Sequence, residues 1–303
     1  MKKDLLTLLD LDAESLHAIL QQARSFKKER KKQKTSDILK GKNVALIFEK
    51  PSTRTKVSFD IAVNELGGHS IYLDASSSQL GRGETYYDTG QVLSRYVHGI
   101  VMRTSAQKNL EELARGASVP VINALSDLSH PCQIISDLFT IQEVNKDLSK
   151  LKISYIGDGN NIANSWITAA ILVGFELNIA TPEGYEPSAS ILKEIGRERH
   201  SHIHIGNDPV VAVKEADVIN TDTWFSMGQK ILDEKNRVFQ SFQVNAKLLS
   251  HAKKGAIVLH CLPAHREEEI TSEVMDGPQS RIWDQAENRL HVQKAILEIL
   301  LKR

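Results

Sequence analysis

The sequence contains little cysteine, and this scarcity limits the kinds of protein it can encode. Only Cys132 and Cys261 occur among 303 residues, far apart and without a CxxC pair or a Cys/His ladder. A disulfide-stabilised fold and a structural zinc site are therefore not expected, and a chain of this length needs neither in order to fold. Two isolated cysteines are typical of reduced thiols, so they predict a cytoplasmic protein.

The sequence also has no excess of either charge and no long apolar run. Lys and Arg total 38, and so do Asp and Glu. A chain without net charge has no overall field that would attract nucleic acid or an anionic membrane. The N-terminal segment is interrupted by charged residues where a signal peptide would be apolar, and no stretch is long enough to cross a bilayer. We therefore expect a small molecule as the partner, and neither nucleic acid nor a membrane.

A regular alternation of strand-like and helix-like segments is present instead. The length of the chain favours two domains. Strands that alternate with helices are typical of parallel sheets covered by helices. Asp12 is predicted to cap the first helix, and further helices are expected at residues 86–96, 110–116 and 131–144. Strands are predicted at residues 43–48, 70–73, 99–102, 119–123, 153–156, 176–180, 202–205, 218–220 and 256–259.

This alternation predicts an α/β protein with two doubly wound domains. The polar stretch at residues 145–150 separates them, which gives a first domain at 1–145 and a second at 146–283. Residues 284–303 are predicted to form a C-terminal helix that packs back on the first domain. Because open parallel sheets bind ligands at the carboxyl ends of their strands, the active site is expected in the cleft between the domains.

Four polar residues stand where the strand at 43–48 is followed by a helix: Ser52, Thr53, Arg54 and Thr55. The free N–H groups and the dipole of a helix start favour an anion there. Convergent hydroxyl and guanidinium donors suit a phosphate better than a carboxylate. The alternative is an ordinary capped helix, which a Ser-Thr pair alone would favour. Arg54 and Thr55 shift the prediction toward a phosphate site.

Three more residues of the first half are candidates for the same site. Arg103 follows a predicted strand on the edge that faces ligands, although a single arginine there is commonly just a surface residue. His130 and Gln133 begin a helix and could point the same way, whereas a lone histidine is commonly structural.

The second half contains three loops with possible binding chemistry. Residues 157–161 resemble part of a dinucleotide-binding turn but lack its glycine spacing, which counts against a nicotinamide dehydrogenase. Residues 222–228 offer a carboxylate, a hydroxyl and loop amides, which together could hold the ammonium and carboxylate of an amino acid. Cys261 stands beside His260 and near Arg266, where a thiolate would be favoured, against the alternative of an inert buried thiol.

In their order and spacing, these motifs resemble ornithine carbamoyltransferases along essentially the whole chain. The matching segments are residues 52–55, 102–104, 130–133, 158–161, 226–228 and 260–263. The resemblance implies transfer of the carbamoyl group of carbamoyl phosphate to the side-chain amine of L-ornithine, giving L-citrulline and phosphate for arginine biosynthesis. It implies no cofactor and no metal, and an assembly that is a homotrimer or a multiple of trimers.

The resemblance also implies a role for each matching residue. Carbamoyl phosphate would be held by Ser52, Thr53, Arg54, Thr55, Gln79, Arg103, His130, Gln133 and Arg289, with Gln79 reaching the site of a neighbouring subunit. Ornithine would be held by Asn161, Asp222, Ser226, Met227, Cys261 and Leu262. Of these, Arg54, His130, Asp222 and Cys261 would act in catalysis. Phe225 is bulkier than the residue often found at its position, which bears on ornithine affinity.

Other acceptors and a non-catalytic role are the remaining alternatives. An aspartate carbamoyltransferase would share the motif at 52–55, but Asp222 would repel a second carboxylate. Putrescine has no α-carboxylate for the loop at 222–228 to bind. A sensor that kept the fold without turnover is the alternative outside catalysis, and the filled motif positions count against it.

Overall fold

The computed structural model describes residues 3–33, 36–144, 147–195, 201–225 and 233–302. It divides into two compact units, one formed by Met1–Phe139 with Glu287–Arg303 and the other by Thr140–Ala286. Within the ranges described, no helix is long and apolar enough to span a membrane. Each unit is an α/β layer structure, which confirms the predicted fold class.

The first unit is built around a parallel sheet of strands β1 (Asn43–Phe48), β2 (His69–Asp74), β3 (Gly99–Arg103) and β4 (Val121–Leu125). Their spatial order is β2, β1, β3, β4, and each neighbouring pair is parallel. β1 and β3 are almost fully buried, whereas the edge strand β2 is largely exposed. Continuous apolar runs in the central strands are expected because helices flank both faces.

Three helices of this unit connect successive strands of the sheet, one precedes β1 and one follows β4. They are α1 (Ala13–Lys31), α2 (Thr53–Glu65), α3 (Tyr86–Leu93), α4 (Gln107–Gly116) and α5 (Pro131–Glu143). Asp12 caps α1 as predicted, and its side chain accepts a hydrogen bond from Ser15 N at 2.7 Å. The sheet changes winding direction between β1 and β3, where open sheets bind their ligands.

The second unit has its own parallel sheet, formed by β5 (Lys152–Ile156), β6 (Glu176–Ala180), β7 (Ile203–Gly206), β8 (Val218–Thr221) and β9 (Ile257–His260). The spatial order is β7, β6, β5, β8, β9, so the winding reverses between β5 and β8. The remaining helices are α6 (Asn161–Val173), α7 (Ala189–Ile195), α8 (Pro209–Val213), α9 (Asp233–Phe239), α10 (Ala246–Leu249), α11 (Ser272–Met275) and α12 (Ile282–Leu301).

The predicted strands form in the predicted order, but some of their bounds were wrong. The strand expected at 119–123 begins at Val121, because Pro120 has no N–H for a ladder hydrogen bond. Arg103 is the last residue of β3 rather than the residue after it. The helix expected to run to residue 96 ends at Leu93.

The limits of the two units fall inside helices. The first change of unit, between Phe139 and Thr140, lies within α5, and the second, between Ala286 and Glu287, lies within α12. The last part of α12 lies in the first unit, where Lys294 forms an ion pair with Glu65 at 3.1 Å.

Candidate active site

The helix start after β1 carries the first group of candidate residues. Ser52 occupies the N-cap position of α2 with an extended backbone, yet its hydroxyl makes no capping hydrogen bond to any residue that the structure describes. Ser52 and Arg54 are half-buried, and Thr53 is exposed. The first N–H groups of a helix have no partner inside the helix, so this start fits an anion better than it fits the capping alternative.

Thr55 brings two arginines together. Its Oγ1 accepts a hydrogen bond from Arg289 Nη2 at 2.8 Å and another from Arg103 Nη1 at 3.4 Å. The three side chains are buried, with exposed fractions of 1% for Thr55, 6% for Arg103 and 4% for Arg289. Two buried guanidinium groups at one hydroxyl concentrate positive charge, which favours a phosphate dianion.

The pairing between β3 and β4 is irregular next to Arg103, where β4 contains a bulge. Met102 pairs with Asn123, but Arg103 pairs with Leu125, so β4 contains one residue more than β3 at this point. A bulge bends its strand and changes where a side chain points. The motif of residues 102–104 contains no local signal for this irregularity.

The start of α5 places two buried polar side chains in the same unit. Gln133 Nε2 donates to Asp137 Oδ1 at 2.8 Å, which fixes the orientation of the amide. Gln133 Oε1 is then a buried acceptor without a hydrogen bond inside the described ranges, suited to an N–H group of a ligand. The pKa of His130 lies well below its usual range because the side chain is buried and because Arg289 and Arg103 repel a protonated ring.

Two predicted residues, Gln79 and Arg54, are not hydrogen-bonded to the cluster of Thr55, Arg103 and Arg289 in the described parts of the chain. Gln79 is exposed and precedes the 3₁₀ turn Leu80–Arg82. Across the residues that the structure covers, neither its side chain nor that of Arg54 hydrogen-bonds to Thr55, Arg103 or Arg289. Thr55, Arg103 and Arg289 are thus joined by hydrogen bonds, and His130 lies close enough for both arginines to affect its charge. Gln79 lies at the surface.

Asp222 is the centre of the candidate residues in the second unit. It follows β8, and its Oδ1 accepts from Cys261 Sγ at 2.9 Å and from Thr223 N at 2.8 Å. Its Oδ2 accepts from Asn160 Nδ2 at 2.8 Å. Arg266, expected near Cys261, pairs with Asp276 instead, and the sulfur of Cys261 contacts the Asp222 carboxylate. The thiolate at Cys261 stays a prediction.

The turn after β5 holds Asn160 and Asn161 in different roles. Asn160 caps α6 by accepting from Ile162 N at 2.9 Å, and the same side chain donates to Asp222. Asn161 is the first residue of α6 and is half-buried. Gly159 is required here, since a Cβ atom would lie 2.3 Å from the backbone carbon of Glu186. Asn160 belongs to the motif at 158–161 but was not among the predicted ligands, although its position between the turn and the helix was an available signal.

The segment after β9 is held by His260 and Glu269, neither of which was a predicted ligand. Leu262 has a positive φ of 61°, and its N–H donates to His260 Nδ1 at 2.9 Å. His260 Nε2 therefore carries the proton and donates to Glu269 Oε1 at 3.0 Å. Glu269 also accepts from His265 N at 2.6 Å. Glu269 lies outside every motif, so no local pattern pointed to this contact.

Phe225 packs into an aromatic cluster. Phe225, Trp224 and Phe239 are buried together, and Lys235 Nζ lies 5.4 Å from the centre of the Phe225 ring. The bulk of Phe225 is accommodated there. The predicted ornithine ligands Ser226 and Met227 lie outside the residues that the structure describes.

Two family profiles match the chain, one in each half. Residues 3–143 match the carbamoyl-P binding domain of aspartate/ornithine carbamoyltransferase, and residues 149–300 match its Asp/Orn binding domain. The chain belongs to the aspartate/ornithine carbamoyltransferase family. Thr55, Arg103 and His130 lie in the stretch that matches the carbamoyl-P binding domain. Asp222, Cys261 and also Arg289 lie in the stretch that matches the Asp/Orn binding domain.

Curated relatives and solved structures within the family are similar over nearly their full length. An ornithine carbamoyltransferase of Syntrophus aciditrophicus is 53% identical over 302 residues, covering 99% of this chain and 100% of the relative. The solved ornithine carbamoyltransferase of Pyrococcus furiosus is 50% identical with a TM-score of 0.94, covering 98% of this chain and 96% of that one. That of Thermus thermophilus is 41% identical with a TM-score of 0.89, covering 99% of both chains.

Proposed function

We propose that this protein transfers the carbamoyl group of carbamoyl phosphate to the side-chain amine of L-ornithine, giving L-citrulline and phosphate. The observation that carries the proposal is the full-length similarity, at about half identity, to relatives named ornithine carbamoyltransferase. One such relative, from Pyrococcus furiosus, is named anabolic, which supports a role in arginine biosynthesis.

The first unit supplies the carbamoyl phosphate site in this proposal. The phosphate would be bound by the α2 start, with its residues Ser52, Thr53 and Arg54, and by the cluster of Thr55, Arg103 and Arg289. Support comes from the two buried guanidinium groups that converge on the Thr55 hydroxyl. His130 would donate to the carbamoyl oxygen through a ring N–H, and the free acceptor of Gln133 would bind the carbamoyl amide.

The second unit supplies the ornithine site. A lysine-like amine has a pKa near about 10.4, so only a small fraction is nucleophilic at neutral pH and the site must favour its neutral form. Asp222 and Cys261 would orient the amine, with Asn161 and Leu262 beside them and Ser226 and Met227 as further ligands. Because the Cys261 side chain is hydrogen-bonded to Asp222, it acts as an orienting group and not as a nucleophile.

The chemical step then needs no covalent enzyme intermediate. The neutral amine attacks the carbamoyl carbon, while Arg54 and His130 stabilise the charge that develops on the carbamoyl oxygen. The C–O bond to phosphate breaks, and the departing phosphate takes the proton of the attacking nitrogen. Replacing Arg54 with Ala should lower kcat roughly a hundredfold or more, because one charge-stabilising donor is lost.

Acceptor specificity tests the proposal directly. Transfer of a labelled carbamoyl group is measured with ornithine, putrescine, N-acetylornithine and aspartate, at equal enzyme concentration. Strong preference for ornithine is expected because Asp222 disfavours an acceptor with a second carboxylate. Turnover of aspartate alone would contradict the ornithine assignment while leaving the carbamoyl phosphate half intact.

We extend the proposal to a cytoplasmic homotrimer, or a multiple of trimers, in which Gln79 completes a neighbour's site. Neither Cys132 nor Cys261 forms a disulfide, which supports the location, and the exposure of Gln79 supports the shared site. Trimers made only of Arg54→Ala subunits or only of Gln79→Ala subunits should have low activity, whereas mixed trimers should regain it, because some of their sites combine an intact Arg54 with an intact Gln79. Trimers containing both variants without recovered activity would argue against a shared site.

A further inference from the structure

Glu49 lies between β1 and the phosphate-binding residues 52–55, and its carboxylate accepts hydrogen bonds from α3, from the segment after β3 and, at 3.3 Å, from Asn109 Nδ2 of α4. Oε1 accepts from Tyr86 Oη and from Thr104 Oγ1, at 2.7 Å each. Oε2 accepts from the backbone N and from Oγ of Ser105, at 2.8 Å each. Glu49 belongs to none of the ligand sets described above.

These bonds connect the two segments that carry the phosphate donors. The backbone N–H of Glu49 donates to the carbonyl of Arg103 at 3.0 Å. Thr104 and Ser105, which follow Arg103 directly, both donate to the Glu49 carboxylate. Three successive residues, Arg103, Thr104 and Ser105, are therefore hydrogen-bonded to Glu49, and Ser52 lies only three positions after Glu49 in the sequence.

The negative charge of Glu49 indicates that this side chain does more than fill space. A carboxylate close to a dianion site opposes binding by repulsion, so a neutral side chain would serve better if the position only filled space. Burial would raise the pKa of Glu49, yet the hydrogen bonds from Ser105, Thr104 and Tyr86 hold it below its usual range. Glu49 is thus ionised at neutral pH, with its charge spread over several donors.

We infer that Glu49 is a positioning residue that holds residues 52–55 in register with Arg103, so that their donors are already placed when the phosphate arrives. The inference rests on the proposed function, because it takes that site to be the phosphate site. Donors that are ordered in advance lose less freedom on binding, and the benefit falls on the affinity for carbamoyl phosphate.

Glu49→Gln is the deciding variant. The amide keeps one oxygen acceptor but presents N–H groups where the second oxygen stood, so it cannot satisfy both Ser105 and the Tyr86–Thr104 pair. We expect the KM for carbamoyl phosphate to rise at least tenfold, with the KM for ornithine at saturating carbamoyl phosphate changed less than twofold. The affinity for inorganic phosphate, measured by calorimetry, should fall by a similar factor.

Tyr86→Phe is the matched control. It removes one donor to Glu49 that comes from α3, outside both phosphate-binding segments, so the KM for carbamoyl phosphate should change less than threefold. If Glu49→Gln does not fold, Ser105→Ala takes its place, and a KM rise of at least threefold is then expected. A folded Glu49→Gln variant with wild-type KM and phosphate affinity would overturn the inference, as would an unchanged KM in Ser105→Ala.

Failure of the proposed function gives a different result. In that case the wild type carbamoylates no ornithine, whatever residue stands at position 49. The phosphate affinities of wild type and Glu49→Gln still decide the positioning role, since they do not depend on the acceptor.

Discussion

Burial keeps the imidazole of His130 uncharged, and this makes the stability of the protein sensitive to mild acid. The unfolded chain takes up a proton at this histidine near pH 6.5, whereas the folded protein resists it because its pKa is lower. The unfolding free energy should therefore fall as the pH drops below about 6.5, until the folded pKa is reached.

His130→Gln removes the contribution of this histidine to the pH dependence of the unfolding free energy and leaves the contributions of the other histidines. Urea unfolding at pH 7.5 and at pH 5.5 should show a smaller loss of stability in the variant than in the wild type. Equal losses in the two proteins would contradict a neutral His130 in the folded state.

The two cysteines differ sharply in predicted reactivity. Cys132 is fully buried, and burial raises the pKa of its thiol to about 12. Cys261 is only partly buried. Because iodoacetamide must reach the sulfur, at pH 8 it should modify the partly exposed Cys261 in the folded protein and leave the fully buried Cys132 unmodified. Peptide mapping by mass spectrometry reads out both sites, with Cys261→Ala as the control. Modification of Cys132 at a similar rate would refute this.

At the scale of elements, helix α9 is anchored to the turn after β5 by a buried ion pair. Lys235 Nζ lies 2.8 Å from Asp158 Oδ2, and the side chains are 9% and 13% exposed. The rings of Tyr185 and Phe239 lie 5.1 Å from the same ammonium. Lys235→Met would leave a buried carboxylate without its partner, which typically costs about 3–5 kcal/mol.

The double variant Lys235→Met with Asp158→Asn should recover much of that loss, because no uncompensated charge is left. Urea unfolding measures both proteins. Arg266→Met, which breaks the exposed pair with Asp276, is the matched control and should leave the unfolding midpoint nearly unchanged. A Lys235→Met midpoint equal to that of the control would show that the buried pair contributes little.

At the scale of the whole molecule, the end of the chain completes a site formed near its beginning. Arg289 in α12 donates to Thr55 in α2 across 234 positions of sequence. Arg289→Met should weaken the binding of inorganic phosphate by roughly 10–100-fold, the usual effect of losing a hydrogen bond from a charged group. Lys294→Met, which removes an α12 contact to Glu65 away from Thr55, should leave phosphate affinity unchanged. Equal affinities for Arg289→Met and wild type would remove Arg289 from the site.

The sequence by itself determined the features that depend on neighbouring residues. Periodicity and length gave the strand–helix alternation and the parallel sheets, and the capping residue Asp12 marked the start of α1. The order of the motifs identified the family, because each motif is a short local segment. Local patterns could not place the unit limits at residues 139 and 286, since these fall inside continuous helices.

Only the tertiary structure decided which side chains meet and what charge they carry. It brought Arg289 to Thr55, paired Cys261 with Asp222, and made the Glu49 carboxylate an acceptor for the segment after β3. The physical reason is that protonation and hydrogen bonding depend on burial and on neighbours in space. Those neighbours are set by the packing of whole elements, which no local spacing encodes.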